Sequence, residues 1–270
     1  MRTILAIITA GIMMAAAPAY PHTGDGLRGE VNVTIVSDRG SAFLVIPHKD
    51  FWSKGTHVMK RYLEAEKREN YGIIVRNTTN EKIGVVIAVD GRNIISGKRS
   101  DLASTEDMYI ISGNENARYD GWRTSKNTVN RFYFTDSDDS YALKTFKDSS
   151  AMGVIAVAVY RERNRTQPLS QLKMQNTSPA APSAKSGAGR SASEAKRDEA
   201  AGTGFGDEQY SPVTRVDFVP EHSPIQKTLI KYEWREVLCR KGILACEEIT
   251  SNRLWDDSEF APYPPGYRDR

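Results

Sequence analysis

The chain offers few residues whose type and spacing could do chemistry, and its carboxylates are the first to weigh. Asp136, Asp138 and Asp139 lie close together, and such a set could hold calcium or work as a hydrolytic acid and base. An EF-hand loop starting at Asp136 needs Gly at its sixth position and Glu at its twelfth, where this chain has Tyr141 and Lys147. Near a short helix the three read better as caps and solvated charge favoured by the helix dipole. His22, His48, His57 and His222 are far apart, and no pair has a metal-ligand spacing. His48 and His57 fall in a loop-rich stretch with Phe51 and Trp52 and read as surface histidines. The glycines of 202–206 (GTGFG) lack the sixth-position Gly and the GK[ST] ending of phosphate loops, and no GxSxG nucleophile motif occurs. No catalytic set, metal site or cofactor is expected.

Residues 119–123 (YDGWR) carry a different chemistry. Trp and Arg are enriched where proteins meet partners, and aromatics beside carboxylates suit sugar faces. Tyr119, Trp122 and Arg123, with Asp90 in an Asp-Gly turn, are therefore the expected contact residues. Burial of Trp122 in a core is the competing reading. Cys239 and Cys246, an even and closely spaced pair, are expected to form a disulfide.

The elements that must position these residues follow a period of two from Val31 to Tyr160, the mark of stacked antiparallel strands. Residues 71–77 and 83–90 read as a hairpin joined at 77–80 (NTTN), its second strand buried on both faces. Strands are also expected at 129–135 and 152–161. Residues 60–68 fit helix or strand. A short helix is expected in 137–147, capped by Ser137 or Asp138. The Ser/Ala/Pro/Gly-rich stretch 164–209 cannot bury enough apolar surface to offset its ordering entropy and reads as a disordered linker. Strands return at 213–219 and 228–234, followed by a cysteine-locked turn.

The fold class is thus mainly β, an antiparallel sandwich of immunoglobulin-like or jelly-roll-like kind. Residues 20–163 would form the sandwich, 210–250 a strand pair and disulfide loop docked on it, and 251–270 a loose tail. At the other end, Met1-Arg2, an apolar run over 4–16 and Ala17-Pro18-Ala19 make 1–19 a signal peptide, too short to span a bilayer. Later runs are no longer than buried strands, so no membrane span is expected in the mature chain. With 37 basic and 34 acidic residues spread evenly, the formal charge is +3, and no basic stretch suggests nucleic-acid binding.

Several strings resemble a group of uncharacterised exported bacterial proteins. They are AVDGRN (88–93), RYDGWRTS (118–125), NRFYFTD (130–136), DSYA (139–142), MGVIAVAVYRE (152–162), GTGFG (202–206), YSPV (210–213) and YEWR (232–235). The resemblance spans 71–162 and 202–243. It implies a periplasmic or extracellular bacterial setting and transfers no catalytic residue. The chain is accordingly expected to be a non-enzymatic envelope protein that binds a protein or a glycan. The alternatives are an envelope hydrolase using the aspartates, and a structural surface or assembly component. Oligomeric state is not legible.

Overall fold

The computed structural model describes residues 31–163 and 200–246. The signal peptide read at 1–19, the linker up to residue 199 and the tail from 251 onward lie outside them.

The strands, numbered in chain order, form two sheets. The first contains β1 (Val31–Ser37), β4 (Asn70–Asn77), β8 (Asn116–Tyr119), β9 (Gly121–Arg123), β10 (Thr128–Asp136), β12 (Ala201–Thr203) and β13 (Glu208–Tyr210). The second runs in the order β2 (Val45–Ser53), β3 (Thr56–Ala65), β14 (Gln226–Trp234), β11 (Val154–Arg161), β5 (Ile83–Val89) and β6 (Arg92–Asn93), with β7 (Tyr109–Ile111) also on β5. The α-helices among the described residues are α1 (Tyr141–Phe146), preceded by a 3-10 turn at Ser137–Asp139, and α2 (Arg235–Arg240).

Alternation builds the core. Ile35, Ile73, Val75 and Phe132 of the first sheet share one buried cluster with Leu63, Val85, Ile87, Ile155, Val157 and Ile230 of the second. Each such burial contributes roughly 1.5–3 kcal/mol, the main force holding the layers together. β5 is buried throughout, as its continuous apolar run requires. Its outward Val86 packs with Ala158 and Tyr160 under Leu102 and Met108, a second and smaller cluster.

Several expectations need correction. The 71–77 and 83–90 runs are strands but not a hairpin, because β4 and β5 belong to different sheets. Buried Asn77 organises the corner between them: its amide donates to the Glu81 and Ser112 carbonyls, and its oxygen accepts from Thr79. Residues 60–65 belong to a strand. The helix cap is Ser140, whose hydroxyl accepts from the Leu143 amide. Residues 213–219 form no strand; they run as a strap over the second sheet. Residues 201–203, placed in the linker by composition, are a buried strand paired with β10. β14 does not dock on a finished sandwich. It lies inside the second sheet, antiparallel to β11 and parallel to β3, so that sheet is mixed.

Candidate functional site

Of the four expected contact residues, three are buried and Arg123 is half-buried. Trp122 is 2% exposed, its indole N–H donating to the Gly204 carbonyl at 3.0 Å and its rings packed on Phe132 and Tyr141. A residue so enclosed touches no partner, and Trp122 is corrected to a core residue. Gly121 is needed here because a Cβ would collide with the Asn130 carbonyl of the paired strand. Tyr119 is also buried, its ring 4.3 Å from that of Tyr109, and burial pushes its hydroxyl well above the usual range.

Asp90 is 1% exposed and is likewise no surface contact. It adopts a positive φ of 49°, which the short Asp side chain tolerates, and Gly91 completes the turn. One carboxylate oxygen accepts from the Gly153 amide at 2.8 Å and the Tyr232 hydroxyl at 2.5 Å; the other accepts from the Thr203 amide at 2.8 Å. The Thr203 hydroxyl in turn hydrogen-bonds the Tyr71 and Tyr232 hydroxyls. Burial pushes the Asp90 carboxyl up to about 6 despite these donors and nearby Lys231. It also pushes the Tyr71 and Tyr232 hydroxyls well up, with the Asp90 charge adding to the effect. The network joins β5 and β14 of the second sheet to β4 and β12 of the first, so its chemistry is that of an interlayer clamp.

Arg123 alone of the four reaches a surface concavity. Its guanidinium donates to the Tyr109 hydroxyl at 2.7 Å and to the Ser211 carbonyl at 2.8 Å, with longer bonds to the Ser125 and Lys126 carbonyls. This spread of acceptors ties the start of the strap to the turn after β9. Beyond it opens a groove of about 890 Å³, floored by Tyr109 and Ile110 and walled by the 104–107 loop and by Val213, Val216 and Phe218. Both walls are built firmly. Glu106 accepts from the Asp101 and Ala103 amides and from the Asn93 side chain, and Tyr160 donates to the Leu102 carbonyl. The strap is tied at its ends by the Val213 amide to Lys126 and by the pairing of Pro220 with Glu162. Reading 213–219 as a strand concealed this groove; Pro212 and Pro220 were the signal that the segment leaves the sheet.

The aspartate cluster and the histidines lie elsewhere. Asp138 and Asp139 are exposed, with Lys144 on Asp139 at 2.7 Å and Lys67 on Asp136 at 3.0 Å. None of the three caps a helix, since Asp136 makes no side-chain cap bond and Ser140 caps α1; their ion pairs with lysines fit surface charge. Among the described residues no group of His, Cys, Asp or Glu is arranged to hold a metal ion. His48 and His57 belong to the β2–β3 hairpin instead of loops, turned at Lys54-Gly55 with positive φ at both positions. His57 pairs with Asp50 and stacks on Trp52, itself 59% exposed. Cys239 and Cys246 form a disulfide with Cα atoms 5.6 Å apart. No helix among the described residues is long and apolar enough to cross a membrane.

Comparison with protein-family models, curated proteins and solved structures finds no match to this chain.

Proposed function

We propose that this protein is an exported, non-enzymatic binding protein of the bacterial cell envelope that takes an extended peptide segment of a partner into the groove beside β7. The carrying observation is the groove itself, firm on both walls and mixed in polarity. Among the described residues β7 has a strand partner only on its β5 side, so an entering extended chain can add main-chain hydrogen bonds while side chains fill the apolar floor. Arg123 acts here as a positioning residue, holding strap and turn together at the groove's end. The leader-like first 19 residues and the oxidised cysteine pair support the envelope setting.

The test is selection of a displayed random-peptide library on the purified chain. Enriched peptides should bind Val216→Asp at least ten-fold more weakly while binding Lys60→Glu, on another surface, unchanged. No enrichment, or equal binding to Val216→Asp, overturns the assignment. Export is checked on protein recovered from an expressing bacterium: an envelope form beginning near Tyr20 supports it, and retention of Met1 in the cytosol rejects it.

A further inference from the structure

The outer face of the second sheet is covered unevenly. The 102–108 loop and the strap lie over β5 and β11, where the smaller apolar cluster forms. The part made by β2, β3 and β14 bears exposed side chains, and β2 is exposed along most of its length.

Register decides which side chains share that part. Directly opposed residues point to the same side of a sheet, and Leu63 and Ile230 point inward to the core. Lys60, Tyr62 and Val58 therefore point outward. Lys49 lies opposite Lys60, and Phe51 opposite Val58. In the parallel pair Lys227 lies beside Val58 and Leu229 beside Lys60. The His48 ring, at the bulge between Pro47 and Lys49, packs on Tyr62 at 5.1 Å. Phe51 is 41% exposed.

The charges on this face are not balanced from within. Its acids are engaged: Glu64 pairs with Arg235, and buried Glu233 with Lys231 and Lys241. Asp50, opposite Met59, lies on the reverse side of the sheet and is held there by His57. Among the described residues no carboxylate pairs with Lys49, Lys60 or Lys227. Two lysines set directly across a strand pair repel each other, which a fold seeking only stability would avoid.

We propose that this face binds an acidic polysaccharide, with Lys49, Lys60 and Lys227 meeting its carboxylate or phosphate groups and Phe51 and His48 lying against its sugar rings. The lysines are distributed over three neighbouring strands roughly 5 Å apart, a layout that matches charge repeating along a polymer. The rings share the face with the charges, so sugar faces and charged substituents are met together. This surface is separate from the groove and stands on different residues.

Affinity electrophoresis of the full chain in gels containing polygalacturonate, with neutral dextran as reference, tests the proposal. The wild-type protein should be retarded by polygalacturonate and not by dextran, and less so as salt rises. Lys49→Glu should weaken binding at least ten-fold while raising Tm, because the new carboxylate sits opposite Lys60. A loss caused by misfolding would lower Tm instead. Phe51→Ala should weaken binding several-fold with charge unchanged, and Arg76→Glu, exposed on the first sheet, should leave it unaltered. No retardation, or an equal loss with Arg76→Glu, overturns the proposal. So does tighter binding to phosphatidylglycerol vesicles or to single-stranded DNA than to polygalacturonate, since either makes the face a site for another class of partner.

Discussion

At the scale of single residues, Asp90 shows how an Asp-Gly turn can be a core device. Its carboxylate terminates one strand and collects donors from three other segments, so the same side chain shapes a turn and joins the layers. Burial raises its folded carboxyl to about 6 against an ordinary 3.8. Between those values the folded state binds the proton more tightly than the unfolded state does. Stability must therefore fall as pH rises through that window, by on the order of 3 kcal/mol from this group. Asp148 contributes oppositely at low pH, since the Ser150 hydroxyl and amide hold it below its usual range. Comparison of wild type with Asp90→Asn cancels such terms. Urea denaturation from pH 4 to 7 should show the wild type losing stability relative to the variant as pH rises, with the change complete slightly above pH 6. A pH-independent difference would mean that Asp90 keeps one protonation state throughout. The Asp-Gly dipeptide was legible as a turn from sequence. Its three donors were not, because they come from positions 63 and more residues away.

At the scale of elements, the strap is the feature on which the groove depends. What seats it is a missing side chain. A Cβ on Gly84 would come within 2.5 Å of Met108 Sδ and 2.6 Å of Phe218 Cε1, so the glycine leaves room for the phenyl ring on the sheet. Lys82 also lies over that ring, 5.8 Å from its centre. Gly84→Ala should displace Phe218 at a cost of roughly 1–3 kcal/mol, the usual penalty of overpacking. Limited trypsin digestion should then cut after Arg215 several-fold faster than in wild type, with the remaining sites unchanged. Equal cleavage would show that the strap is held by its ends alone. Period-two patterning and short continuous apolar runs marked β4, β5, β10 and β11 correctly as strands, because burial against a sheet is a local pattern. It could not mark partners: 71–77 and 83–90 are close in sequence and both apolar, yet buried Asn77 turns the chain out of one sheet into the other.

At the scale of the whole molecule, the C-terminal segment completes the fold. β14 lies between β3 and β11, and β12 and β13 both pair with β10. Removal of residues from 200 onward would split the second sheet and expose the edges of β3 and β11. A protease site engineered into residues 164–199 should consequently give a nicked protein whose two pieces co-elute in native buffer and separate only in denaturant. Separation in native buffer would mean that 200–246 is a detachable appendage. The disulfide adds a local restraint after β14, closing a short loop worth about 2–3 kcal/mol on the chain-entropy model.

Strand class, the cysteine pair and the lack of a spaced catalytic or metal-binding motif follow from the sequence alone, because each depends on residue type and on neighbours within a few positions. The sides taken by Trp122, Asp90 and Arg123 do not. Whether an aromatic or a carboxylate is enclosed depends on which distant strand passes over it, and here Gly204, Thr203 and Ser211 arrive from beyond the low-complexity stretch. The opposition of Lys49 and Lys60 is likewise a matter of register, created only when β2 folds back along β3. Tertiary pairing thus placed three of the four expected contact residues in the interior and left Arg123 alone at a surface concavity.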